Sequence, residues 1–468
     1  MINTMSESYN ICFISGKLGD VDGVSLEADK WISVLSRMGH QIFTVAGQYL
    51  RLLEHVPESR SLLIDKLSFS SKRQQYYESC IFPHLDYRKP RLSEKKLEVL
   101  KNELQREGRS ISDEIYDFII TQNIDFIIAE NTNAMPMTLL GASAVYDLTQ
   151  RKSVAALFHH HDFWWERSRF SDCLLDSFLN VIMPPVSISN EHIVVSSYAE
   201  HILNSVKRVQ PYVIPNCEDF ENPPLKDEYN SHFREDMGFC DDDILIIQPT
   251  RIVPRKRIED SIQLTALLGR RYPELAGRIR FVISLYPGDE AESDYLQIVR
   301  KAAEEAELEL HLIYPRIRAE RMILEGERFY TNRDVLVNAD LVSYLPRWEG
   351  FGNALLEAFA ARVPVVTSTY LVYKTDIRGS GVRPVEIRDR YDRMGNLIIE
   401  EHVLEEIHSV LTDPVERKMR VDLSFKSAAR DFSMNLLEKK LTELIDSYSD
   451  EIRAGRRRLQ KSRQSYYV

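Results

Sequence analysis

At 468 residues the chain is too long for one hydrophobic core and divides into about two domains. Its 44% hydrophobic and 28% charged residues are ordinary for a globular protein, and no apolar run reaches the ~18 residues of a membrane-spanning helix. The net charge of -11 excludes a general nucleic-acid binder, which needs a basic footprint on phosphate.

The five cysteines (Cys12, Cys80, Cys173, Cys217 and Cys240) are scattered and show no C-x-x-C pair, which points to reduced thiols and away from a zinc site or disulfide framework. MINTMSESYNICFIS has no basic flank and only a short apolar stretch, unlike a signal peptide, so a cytoplasmic location is expected.

In chain order, the apolar runs NICFIS, HQIFTVAG, IDFIIAE, SVAALFHHHD and HIVVSS read as strands, separated by stretches of helical spacing such as Leu26 to Met38. Residues 51–119, rich in charge, Tyr and Leu, read as a helical insertion. After Pro211, the proline-rich YVIPNCEDFENPPLKDEYN reads as a connection between domains. The rhythm restarts with DDILIIQPT, a helix over Ile258 to Gly269, IRFVISLY, LELHLIY, ADLVSYL and VPVVTS. The last forty residues are helical in pattern. Strands alternating with helices predict an α/β protein of two parallel-sheet domains, 1–217 and 218–430, closed by a helical segment 431–468. Ligands of such sheets bind outside the carboxyl ends of the strands, so two domains facing one another imply a cleft.

Within PRWEGFGNALLEAFAARVPVV (346–366), a strand ending near Pro346 meets a helix over Asn353 to Ala361 through the turn GFGN. A turn feeding a helix N-terminus offers backbone N–H groups and the positive end of the helix dipole to an anion. Gly350 and Gly352 carry no Cβ to obstruct a close approach, and Glu349 and Glu357 flank the turn with carboxylates suited to sugar hydroxyls. A capped helix with two ordinary glutamates is the plainer reading of the same residues.

The string resembles the signature of retaining GT-B glycosyltransferases of family 4, two glutamates with seven residues between them, the first followed by G-F-G. The resemblance implies that Glu349 contacts the donor sugar, that the Phe351, Gly352 and Asn353 backbone holds the diphosphate, and that Glu357 binds the ribose. QPTRIVPRKRIED resembles the family's R-x4-K element, which implies Arg251 and Lys256 as clamps on the donor pyrophosphate. Two cations there would neutralise the charge on a departing nucleotide diphosphate. VIPNCEDF is similar to the hinge element carrying Pro215, Asn216 and Asp219, with Cys217 in place of the usual glycine. ISGKLGDVDGVSLEADK resembles the glycine-rich loop of the acceptor domain. It places Gly23 beside the donor phosphate and Asp22 where a glycine is usual, and Asp22 serves equally well as a turn residue. Arg362 is a third departure, at a position usually glycine.

Three histidines in HHHDFWWERSRF (159–170) would suggest a metal, but along a strand end they alternate in direction and cannot all converge. The resemblance implies His161 as a donor-sugar contact with a catalytic part. His160, Asp162, Trp164 and Arg167 are candidate acceptor contacts, with Trp165, Glu166 and Arg169 beside them. Aromatic faces stack on pyranose rings and Arg grips acids, although tryptophans in the core and arginines on the surface explain the residues as well. ENTNAMPM (130–137) adds Glu130, Asn131 and Asn133, as acceptor contacts or as strand-end turn residues.

Fold and activity follow from the resemblance: a GT-B protein with two Rossmann-like domains and a C-terminal helix crossing back to the first. The expected reaction moves a hexose from a UDP-, GDP- or ADP-sugar to a hydroxyl of a small sugar or glycoside, with retention and without a metal. The acceptor stretches are similar to those of members that build compatible solutes such as mannosylglucosylglycerate. A sugar phosphorylase, a trehalose-type synthase and a non-catalytic nucleotide-sugar sensor remain alternatives. Arg453 to Arg463 (RAGRRRLQKSR) is either a solvated helix end or a weak contact for an anionic membrane. A homo-oligomer is compatible with the sequence.

Overall fold

A computed structural model gives the protein's structure and describes residues 7–83, 91–187, 189–287 and 295–466. The first six residues, on which the leader expectation partly rests, lie outside these ranges. Among the described residues the chain forms two compact units, one of Met1–Pro215 with Leu437–Val468 and one of Asn216–Leu436.

The first unit is built on strands β1 (Asn10–Ser15), β2 (Gln41–Ala46), β3 (Ser61–Leu63), β4 (Phe126–Glu130), β5 (Ala156–His160), β6 (Asn190–Val194) and β7 (Tyr212–Val213). They pair in parallel in the order β3-β2-β1-β4-β5-β6-β7. Helices α1 (Gly23–Arg37), α2 (Lys72–Ile81), α3 (Glu94–Thr121), α4 (Leu139–Gln150), α5 (Asp176–Ile182) and α6 (Ser197–Lys207) connect them. Strands β4 and β5 are buried along their whole length, as continuous apolar runs in a covered parallel sheet should be.

Two expectations need correction here. Residues 51–119 are not wholly helical: Ser61–Leu63 forms the edge strand β3, pairing Thr44 with Ser61 and Ala46 with Leu63. Three residues carry too little periodicity to be seen. Likewise Tyr212–Val213, read as part of the connection, is the last strand and pairs with Ile193 and Val194.

The second unit has β8 (Ile244–Gln248), β9 (Ile279–Ile283), β10 (Leu310–Leu312), a hairpin of β11 (Met322–Leu324) and β12 (Glu327–Phe329), then β13 (Leu341–Tyr344), β14 (Val365–Ser368) and β15 (Val385–Ile387). The parallel sheet runs β10-β9-β8-β13-β14-β15. Its helices are α7 (Phe233–Asp236), α8 (Ile258–Arg271), α9 (Pro273–Ala276), α10 (Tyr295–Glu305), α11 (Asn332–Val337), α12 (Asn353–Ala360), α13 (Glu401–Thr412) and α14 (Pro414–Asp431). Each sheet reverses its strand order once, at β1/β4 and at β8/β13, and the loops leaving those strands are where an open α/β sheet holds ligands.

Within α15 (Met434–Ser447) the chain passes from the second unit to the first, and α16 (Ser449–Tyr466) packs there. Tyr448 donates from its hydroxyl to the Ala156 carbonyl at 3.2 Å and accepts from the Ala156 N–H at 3.0 Å. Arg456 grips Asp125 through two bonds of 2.7 and 3.0 Å, and Arg463 donates to the Ile120 and Ile124 carbonyls. The basic tail is therefore more than a solvated helix end, because several of its arginines bind the first unit. No helix among the described residues is long and apolar enough to cross a membrane.

Candidate functional site

In the second unit, β8 delivers Arg251 and a short turn over Pro254–Lys256, while β13 delivers Glu349 and the GFGN turn. The strands are neighbours, so the two loops meet. Arg347 N–H donates to the Arg255 carbonyl at 3.0 Å, tying one loop to the other. Glu349, 8% exposed, presents Oε1 to Lys256 Nζ and to Arg255 Nη1, the latter at 2.6 Å. Burial alone would raise the Glu349 carboxyl, but Arg255 and Lys256 overcome it and hold the group below its ordinary value. For Lys256 burial wins: the ammonium falls to about 8, with nearby Arg255 and Arg251 lowering it and Glu349 opposing them. The lysine also stands 5.2 Å from the centre of the Tyr344 ring. Behind this pair, Ser343 donates to Ser261 and Ser261 to Gln248, each at 2.9 Å, bracing β13, α8 and β8.

Gly352 opens α12 at φ 145, in the region where only glycine is unstrained, and a Cβ there would stand 2.3 Å from the Tyr370 hydroxyl. That hydroxyl donates to the Phe351 carbonyl at 2.7 Å and shapes the turn. No side chain caps the first turn of α12. Asn353 accepts from Asn216 Nδ2 at 2.6 Å, joining the hinge-like element to the turn. The Phe351 side chain is buried edge-on against Phe432 at 5.6 Å, so only the backbone of this residue can serve a ligand. Glu357 accepts from Asn332 Nδ2 at 3.1 Å, and Asn332 accepts from Ser284 at 2.7 Å.

In the first unit the strand ends after β4 and β5 make a second cluster. Glu130 accepts from His159 Nδ1 at 2.9 Å and from His161 Nε2 at 2.6 Å, one imidazole on each oxygen. Burial would raise the Glu130 carboxyl, yet the two histidines take it down to about 2. Burial would lower His161, and Glu130 reverses this, leaving the imidazole above its ordinary value. His159 stacks on Trp31 at 4.1 Å. Asn131, at φ 51, accepts the His161 N–H at 3.1 Å and donates to Asp162 at 3.4 Å. Arg167 donates to Asp162 through Nε at 2.9 Å and through Nη2.

Several sequence expectations change in this light. Alternation turns His160 away from its neighbours: it is 1% exposed, bonds His192 at 3.0 Å, and is kept well below its ordinary value by burial and by His192. Glu130 has both oxygens engaged in the interior. Trp164 is 4% exposed and donates to the Met183 carbonyl at 3.3 Å, so it belongs to the core. None of the three can be a surface contact for an acceptor. Asn133 is also fully buried and donates to the Ala142 and Ile182 carbonyls. Asp22 caps α1, accepting from Val24 and Ser25 N–H at 3.0 and 3.2 Å, and Gly23 is the exposed first residue of that helix. Although the three histidines do not all converge, two of them do: the donor atoms of Glu130, His159 and His161 lie within 4.8 Å of one another, the one such group among the described residues.

Sequence reasoning missed Arg255, Tyr370, Asn332, His159 and Trp31. For Arg255 a signal existed, a third cation inside the R-x4-K element. Asn332 and Trp31 reach their partners only through the fold.

The family model described as "Glycosyl transferases group 1" matches residues 231–378. A mannosylglucosylglycerate synthase of Thermotoga maritima is 30% identical over 458 residues, covering 93% of this chain and 99% of the relative. One of Petrotoga mobilis is 28% identical over 417 residues, covering 85% and 92%. Among solved structures, Anabaena HepE in complex with UDP-glucose shares the fold at TM-score 0.63 and 14% identity, covering 94% of this chain and all (100%) of that one.

Proposed function

This chain belongs to the group 1 glycosyltransferases and has their GT-B fold of two parallel-sheet units, and from that premise we propose that it moves a hexose from a nucleotide diphosphate sugar to a hydroxyl of a small acidic glycoside, with retention. The observation that carries the reading is Glu349, buried at the foot of an uncapped helix start and gripped by Lys256 and Arg255. The helix start and Arg251 with Lys256 supply fixed positive charge to a diphosphate. Glu349 orients the sugar and does not attack it, Glu357 holds the ribose, and the departing phosphate takes the acceptor proton. His161 takes part in the transfer step, and the half-buried Arg167, paired with Asp162, contacts the acceptor. An acceptor bearing glycerate is supported by the products that the Thermotoga and Petrotoga enzymes are named for.

The decisive experiment is calorimetric and thermal-shift binding of UDP-, GDP- and ADP-sugars with EDTA present, followed by transfer to glucosylglycerate and determination of the new anomeric linkage. Selective binding of one donor and an α-linked product are expected. A folded protein that binds no nucleotide sugar, or that needs inorganic phosphate for turnover, overturns the reading in favour of a phosphorylase. Tight donor binding without turnover across acceptors would make it a sensor.

A further inference from the structure

The Glu130 cluster is built from three separate chain segments, and its members differ in exposure in an ordered way. Side chains of Glu130 and His159 are 0% exposed, whereas that of His161 is 9% exposed. His161 thus forms the outer end of a chain whose inner end is closed by Trp31 stacked on His159. An ionised carboxylate only accepts hydrogen bonds, so both imidazoles donate to it, and the Nε2–H of His161 is fixed in direction by a bond of 2.6 Å. The backbone is fixed as well, since the His161 N–H donates to Asn131 Oδ1. Such a ring has one rotamer and one nitrogen committed to the interior, leaving Nδ1 as its second polar atom.

We propose that Glu130 is a positioning residue for glycosyl transfer, holding His161 through Nε2 while His159, stacked on Trp31, holds Glu130 in turn. The inference rests on the reading above that His161 contributes to the transfer step. It adds the residue that orients His161 and favours its protonated form. Other charged or titratable groups bear on His161: Glu27 of α1, Asp162 beside it in the chain, and His159 and His160 of β5. Both remaining acids raise the imidazole in the same direction as Glu130, so removing Glu130 withdraws part of the support and leaves the rest.

The test uses the full chain with Glu130→Gln, Glu130→Asp and His161→Ala. Imidazole resonances of His161, titrated by NMR without substrate, read the coupling itself. Expected in Glu130→Gln are a titration midpoint moved toward acid and a kcat lowered about 10-fold or more at pH 8, with donor KM changed less than about twofold. The alkaline limb of kcat moves with the midpoint. Glu130→Asp, which keeps the charge, restores the limb but not the full rate. If Glu130→Gln does not fold, Glu130→Asp with a wild-type rate and pH profile overturns the proposal. An unmoved His161 midpoint in folded Glu130→Gln overturns it too, as does a stoichiometric bound metal whose chelation abolishes activity. A fully active His161→Ala instead removes the role of His161 in the function proposed above, whatever the NMR of Glu130→Gln shows.

Discussion

Two buried carboxylates, Glu349 in the second unit and Glu130 in the first, are each held by two basic side chains, and the holds differ in kind. Lys256 and Arg255 both converge on one oxygen of Glu349, Oε1. His159 and His161 take one oxygen of Glu130 each, and no oxygen is left over. The first arrangement gathers two cations on a single oxygen, which suits a group that must meet a substrate. The second is saturated and uses weak bases, which suits a support whose outer imidazole does the meeting. Burial is nearly equal in the two, 8% and 1% exposed, so burial alone does not tell a contact from a support.

The largest effect that separates the two is expected at Lys256. Lys256→Ala should lower kcat by about 100-fold or more, equivalent to about 3 kcal/mol of lost transition-state stabilisation. An activity loss confined to a raised acceptor KM would break the assignment. The lysine also gives the second unit a pH signature. Its ammonium, lowered to about 8, loses its proton as pH rises through that value in the free protein, and a bound diphosphate pulls the proton back. Donor affinity should therefore fall above about pH 8, and binding there should take up a proton, seen by calorimetry in buffers of different ionisation enthalpy. Binding without proton uptake would place the diphosphate away from Lys256.

The counterpart in the first unit appears in acid stability. The Glu130 carboxyl is taken from 4.5 to about 2, a depressed value, so its contribution is fully present above about pH 4.5 and is lost as pH falls toward 2. His161 has the opposite sign: its raised value contributes below pH 6.5 and the contribution fades as pH rises through the folded value. Glu130→Gln should flatten the acid limb of stability by about 1–3 kcal/mol, measured as denaturant midpoints between pH 2 and 5. An unchanged acid limb would mean that the carboxylate is not ionised in the folded protein.

Gly352 tests how much the turn, as distinct from its charges, contributes. Gly352→Ala places a Cβ against Tyr370 in a backbone region closed to alanine, and should cost about 1–3 kcal/mol of stability together with donor affinity. Adding Tyr370→Phe removes the colliding hydroxyl but not the φ of 145, so only part of the loss should return. Complete recovery would show that the hydroxyl, and not the backbone angle, makes glycine necessary.

What the sequence made legible follows the same division. Glu349, Lys256 and the GFGN turn lie in short contiguous motifs whose spacing is itself the chemistry, and β8 and β13 could be read from their apolar runs. Of the Glu130 cluster, the sequence points to His161 as a donor-sugar contact and to Glu130 as either an acceptor contact or a strand-end turn residue, because polar residues at strand ends look alike whether they face solvent or one another. Which of them faces inward is decided by alternation along β5 and by the arrival of Trp31 from α1, and only the second of these is invisible in sequence. Edge strand β3 was lost for another reason: three residues with intermediate or exposed side chains leave no hydrophobic pattern to find.

The smallest effect concerns the tail. Arg456 binds Asp125 with two bonds and also reaches Glu7, at a side-chain exposure of 25%. Partial solvent access limits such a pair, and Arg456→Ala should cost about 1 kcal/mol of stability, visible as faster hydrogen exchange along α16. Neither kcat nor donor KM should change, because the contact lies within the first unit and touches no residue of the Glu130 cluster. Binding of the purified protein to vesicles of anionic lipid supplies the contrast. If the arginines serve the fold, vesicle binding is absent in the wild type and remains absent in the variant. Salt-sensitive vesicle binding by the wild type, with unaltered exchange in Arg456→Ala, would return the basic stretch to a membrane role and remove its structural one.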